Sequence, residues 1–169
     1  FTGTNATAVG EAAAQSATSA TFLTAIGQAA ANGLLTGLGN TVVGYKSFMF
    51  ADGAEARNTT VGTFAGRFCD GTDNSIAIGF GALSGVNPDY YGDGGTANAT
   101  KPSGNSNIAI GNYTLDAVQS GEKNVAVGQS AGGALNTGVQ NVLIGHEAGL
   151  LLTDNAGNVA IGYGALDGC

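Results

Sequence analysis

The chain has 169 residues, with 30 Gly, two Pro, no Trp and a net charge of −7 from twelve acids and five bases. That charge excludes the basic stripe a nucleic-acid binder needs. No apolar run approaches the ~20 residues of a membrane-spanning helix, and with 43% hydrophobic and 10% charged residues the composition also excludes a disordered chain.

The first strand signal is Thr7-Ala8-Val9, closed by Gly10. It returns before Gly27, Gly44 and Gly62 as Thr24-Ala25-Ile26, Thr41-Val42-Val43 and Thr59-Thr60-Val61. A fifth copy, Ile76-Ala77-Ile78, precedes Gly79. After a longer gap come Ile108-Ala109-Ile110, Val125-Ala126-Val127, Val142-Leu143-Ile144 and Val159-Ala160-Ile161, closed by Gly111, Gly128, Gly145 and Gly162. With Gly as anchor the spacings are 17, 17, 18, 17, 32, 17, 17 and 17 residues. Self-similarity at a fixed period marks a repeat architecture.

Aligned on the anchors, the positions one and three before Gly are β-branched in all nine copies. Such residues favour strands, and their alternation places both on one face, which is expected to be the inward one. The position between them is mostly Ala and is expected to face outward. A small residue in most copies suits the close approach of a neighbouring chain. Seven past the anchor stand Ala17, Leu34, Ala51, Cys69, Val86, Val118, Leu135, Leu152 and Cys169, a second inward column. Four before it, Asn recurs as Asn40, Asn58, Asn107, Asn124, Asn141 and Asn158. These either form a side-chain amide ladder or serve as independent turn residues. Each unit reads as strand, Gly turn, short strand, turn. Stacked units make a parallel β-solenoid with rungs ~4.8 Å apart.

The fold class is therefore all-β, a parallel β-solenoid of nine ~17-residue rungs in a homotrimeric fibre. It is a single array over residues 1–169 with an inserted loop at 87–104. The chain opens and stops in mid-unit, as a piece of a longer fibre would. The insertion holds both prolines and the group Asp89, Tyr90, Tyr91 and Asp93, which could stack on and hydrogen-bond a sugar. A loop that packs against a neighbouring subunit is the alternative. Asp52-Gly53, Asp70-Gly71 and Asp93-Gly94 read as turns.

Cys69 and Cys169 stand five rungs and ~24 Å apart, beyond disulfide reach. They are expected to be free buried thiols that make no metal ligand set. The single histidine, His146, sits one past its anchor in a variable column, as at an exposed corner. No nucleophile or acid partner is visible beside it. No enzyme activity, cofactor or metal is expected.

The strings Asn74-Ser-Ile-Ala-Ile-Gly79 and Asn158-Val-Ala-Ile-Gly162, the latter followed by Tyr-Gly-Ala-Leu, resemble the head repeats of trimeric autotransporter adhesins. They also resemble the related repeats of bacteriophage and other viral tail fibres. The resemblance implies a trimeric β-roll or β-prism, and the 17-residue unit is closer to the viral fibres. It implies a segment of a virion surface or tail fibre that supports host attachment, with other copies of the chain and a host-surface glycan or receptor as partners. A bacterial cell-surface adhesin head binding matrix or glycans is the alternative. An ice-binding solenoid would need an exposed rank of Thr, and the Thr7, Thr24, Thr41 and Thr59 column is expected to face inward.

Overall fold

A computed structural model describes residues 3–85 and 101–167. Among them stand nine three-residue strands: β1 (Thr7–Val9), β2 (Thr24–Ile26), β3 (Thr41–Val43), β4 (Thr59–Val61), β5 (Ile76–Ile78), β6 (Ile108–Ile110), β7 (Val125–Val127), β8 (Val142–Ile144) and β9 (Val159–Ile161). They form one sheet in sequence order. Every pairing is parallel and keeps the register of the repeat, from Thr7 opposite Thr24 to Ile144 opposite Ile161. The insertion leaves that register intact, since Ile76 pairs with Ile108. The chain is the parallel β-solenoid that its period implies.

Two expectations are corrected. Among the described residues each rung carries one strand, not two, and outside the strands an isolated bridge joins Thr21 and Leu38. The rest of the rung is turn, with left-handed backbone two and four residues past each anchor, as at Tyr113, Leu115, Ser130 and Gly132. These residues aim their N–H groups along the solenoid axis. Ser130 donates to the Asn112 carbonyl (2.9 Å) on the rung before, and Leu115 donates to the Ala131 carbonyl (3.1 Å) on the rung after. The turn segments thereby satisfy their backbone without a second sheet.

The second correction concerns the strand faces. The middle residue of each strand points inward, not outward. Ala25, Val42, Ala77, Ala109, Ala126 and Leu143 are fully buried. The flanking Ile and Val columns face out, with Ile26 40% exposed and Ile78, Ile110 and Ile144 each 37% exposed. The lumen has room for little more than a methyl group here, because it is filled from other walls. Leu34, Val118, Leu135 and Leu152, seven past their anchors, reach in as expected, and Phe48, Leu83 and Leu115, four past theirs, form a further inward column that was not expected. Volumes compensate between walls. The one Leu of the middle column, Leu143, lies against Gly132 and Gly149. A Cβ added at either would stand 2.9 Å from a Leu143 methyl. Each fully buried Leu contributes on the order of 1.5–3 kcal/mol.

From Asn107 to Asn158 the Asn column is an amide ladder, whereas the amides of Asn40 and Asn58 donate to the Glu55 and Thr72 carbonyls. Asn124 donates from its Nδ2 to Asn107 Oδ1 (3.1 Å), Asn141 to Asn124 (3.0 Å) and Asn158 to Asn141 (2.9 Å). The side-chain oxygens of Asn40, Asn58, Asn107, Asn124 and Asn141 also accept the backbone N–H of the next rung, as Asn40 Oδ1 does from Asn58 N (2.9 Å). Cys69 is a free, buried thiol whose Sγ donates to the Leu83 carbonyl (3.3 Å). Burial pushes its pKa up to about 12, so it packs as a small hydrophobe. Cys169 lies outside the described residues.

Candidate interaction face

An uncharged surface runs along the outer face of the sheet. It carries two columns, one and three residues before the anchors, and no charged residue enters either column. Toward the C-terminal end both columns are Ile and Val. Toward the N-terminal end the outer column is Thr, with Thr7 and Thr41 exposed and Thr24 and Thr59 half-buried. An aromatic run continues the face past the anchors. Tyr45, Phe64, Phe80 and Tyr113 are spaced 5.5, 5.6 and 5.3 Å between successive ring centroids. The strand geometry explains the uniformity, because parallel in-register rungs set each residue beside its own repeat equivalent.

Another part of the coil brings together groups far apart in sequence. The two Asp-Gly corners read as turns lie on consecutive rungs, so Asp52 and Asp70 converge with the buried Glu55. Their carboxylate oxygens lie within 4.8 Å of one another. Lys101, which resumes the described chain after residue 85, places Nζ 2.8 Å from Asp70 and 3.3 Å from Asp52. The Lys101 ammonium holds the Asp70 carboxyl below its usual range, and Asp70 with Asp52 holds Lys101 above its own. Glu55 accepts N–H bonds from Gly53 (3.2 Å) and Gly71 (3.0 Å). The next residue, Pro102, is buried, and its carbonyl accepts from Asp70 N (2.9 Å) and Thr72 Oγ1 (2.8 Å). Sequence reasoning missed Lys101 as a partner of these acids. The only signal was the recurrence of Asp-Gly at the same place in adjacent units.

Further along, Asp116 lines an open cavity of about 460 Å³ with Tyr113, Ser130, Gly133, Leu150 and Leu151 among its walls. Burial raises the Asp116 carboxyl to about 6. The folded state therefore binds this proton more tightly than the unfolded chain does. Its contribution is most favourable in acid and is lost as pH rises from about 4 through 6. Asp116→Asn is expected to raise stability at pH 7 by about 2 kcal/mol relative to wild type, with the gain vanishing near pH 4. Urea unfolding at the two pH values reads this directly.

His146 stacks on Tyr163 at 5.4 Å with an interplanar angle of 2°, and its Nδ1 lies 3.6 Å from Glu147. The sugar-binding group proposed from sequence, Asp89, Tyr90, Tyr91 and Asp93, lies outside the described residues. Asn58 is buried with its amide donating to the Thr72 carbonyl (2.6 Å). Among the described residues no helix is long and apolar enough to cross a membrane. No family model, curated protein or solved structure matches the chain.

Proposed function

We propose that this chain is a rod-forming segment of a homotrimeric virus or phage fibre, non-enzymatic, that supports attachment to a host. The observation that carries the proposal is the outward Ile and Val face. One of its columns is Ile or Val in every strand, no charge enters it, and Ile26, Ile78, Ile110 and Ile144 remain 37–40% exposed among the described residues. A contiguous apolar surface of this kind marks an interaction site. Three copies meeting on that face around a common axis would cover it in every rung, and closed symmetry would limit growth sideways. The repeat strings that resemble viral fibre and adhesin heads support the same assembly. A bacterial surface adhesin would use identical packing, and a membrane-anchoring barrel encoded downstream would select it.

The native mass tests the proposal. The expected particle weighs three times the 16.5 kDa of one chain. Ile110→Lys, which changes a side chain facing out of a single chain, is expected to yield a folded monomer. A wild-type chain that stays monomeric at micromolar concentration would contradict the assembly.

One observation favours a second reading. The Thr column expected to face inward faces outward, so Thr7, Thr24, Thr41 and Thr59 form a rank at ~4.8 Å intervals. Each stands ~6.6 Å from an outward Val or Ile of the same strand. Such a regular rank of small β-branched side chains is what an ice-binding surface requires. Thermal hysteresis of the purified chain tests it, and freezing-point behaviour equal to that of a control protein would eliminate it.

A further inference from the structure

Phe50 and Phe68 occupy the same position on consecutive rungs, six past Gly44 and Gly62. Their rings stack at 5.0 Å with an interplanar angle of 6°. On the rung before Phe50 the equivalent residue is Gly33. A Cβ there would stand 2.8 Å from the Met49 carbonyl oxygen and 2.9 Å from that of Ala51, so a side chain is disfavoured at this place. The aromatic ladder stops one rung short. In its place lies a cavity of about 220 Å³ lined by Gly33, Met49, Phe50, Phe68, Asn32, Asp52 and Lys101.

The floor of this cavity is apolar and aromatic, while its rim carries an acceptor and a donor at fixed separation, Asp52 Oδ2 and Lys101 Nζ, 3.3 Å apart. Both are accessible, with side chains 60% and 37% exposed. An anionic ligand would meet Asp52 at the rim, with Asp70 and Glu55 oxygens within 4.8 Å behind it. A cationic one would meet Lys101 at the rim, with the Arg67 guanidinium close to the floor rings, 5.5 Å from the Phe50 centroid and 5.0 Å from that of Phe68. The chemistry left is a small neutral ring with one C–H face for the aromatic floor and neighbouring hydroxyls that both donate and accept at the rim. We propose that this slot binds a single neutral pyranose residue, the terminal sugar of a surface glycan. The ring would stack where the next aromatic would stand, with adjacent hydroxyls bridging Asp52 and Lys101. The size suits one sugar ring and not an oligosaccharide. This deepens the attachment reading and rests on it for its biological use.

Saturation-transfer NMR of the whole chain with methyl α-glucoside, methyl α-galactoside and methyl α-mannoside tests the slot, with native mass measured on the same samples. At least one glycoside is expected to bind. Asp52→Asn and Phe50→Ala are each expected to weaken it about tenfold or more. Asp52 is solvent-facing, so if Phe50→Ala fails to fold, Asp52→Asn decides alone. No binding of any of the three, or binding that survives Asp52→Asn unchanged, overturns the proposal. A trimeric mass alongside either result leaves the fibre reading standing, and sugar binding by a monomer does the reverse.

Discussion

Gly111→Ala is expected to destabilise the solenoid by about 3–5 kcal/mol. Two causes combine. Gly111 has φ +135°, a region L-residues avoid, and an added Cβ would stand 2.5 Å from the Gly128 carbonyl oxygen and 2.6 Å from its carbon. The obstruction is backbone of the next rung, held in register by the sheet, so it cannot swing aside. Gly162→Ala separates the causes. Its φ is +123°, but nothing lies within 4 Å of the added Cβ. It is expected to show backbone strain alone, about 1–3 kcal/mol. Urea unfolding of both variants measures the difference, and equal losses would mean that contact between rungs is not what demands glycine.

Asn124→Ala is expected to cost about 3–5 kcal/mol. The side chain is fully buried and serves both neighbouring rungs. Its oxygen accepts from Asn141 N and Asn141 Nδ2 at 3.0 Å each. Its Nδ2 donates to Asn107 Oδ1 at 3.1 Å and to the Gly138 carbonyl at 2.8 Å. Truncation removes all four bonds, and their partners are in the same dry stack, where an unmade bond carries its full desolvation cost. The chain holds its own comparison at Ser75, which stands at this place in the fifth unit. Ser75 Oγ accepts Asn107 N at 3.1 Å, keeping the backbone bond without a side-chain amide. Asn124→Ser is therefore expected to lose clearly less than Asn124→Ala. Thermal and urea unfolding of the pair would show it, and equal losses would argue that the amide shape, not the shared backbone bond, is what counts.

The amide ladder illustrates how far residue pattern alone could reach. Asn at one position in six of nine units allowed either a ladder or separate turns. Only the stacking of rungs selects the ladder from Asn107 to Asn158, where each amide lies one hydrogen bond from the next, and turns the Asn40 and Asn58 amides to backbone carbonyls instead. The Asp52, Asp70 and Lys101 group was less legible. The two acids were visible as recurrent turn residues, but Lys101 reaches them from beyond the insertion, and no period places it there. The open slot beside Phe50 was hidden for a related reason, because the absence of a ring at Gly33 has meaning only once Phe50 and Phe68 are seen stacked. The left-handed positions two and four past each anchor were also invisible. Lys46, Phe64, Tyr113 and Ser130 all adopt them, and residues so different leave no signature.

Sequence by itself determined the repeat, the nine strands, their parallel register and the inward column that holds Cys69. All follow from a period that survives one added residue and a long insertion, since a rung that keeps its anchor keeps its neighbours. Tertiary structure alone decided which strand face is inside. Alternation distinguishes two faces but cannot orient them when both are apolar, and side-chain size pointed to Ile and Val within. The lumen is narrow and already occupied by Phe48, Leu115 and Leu135 from other walls, so the Ala column fills it and the larger β-branched residues are turned outward.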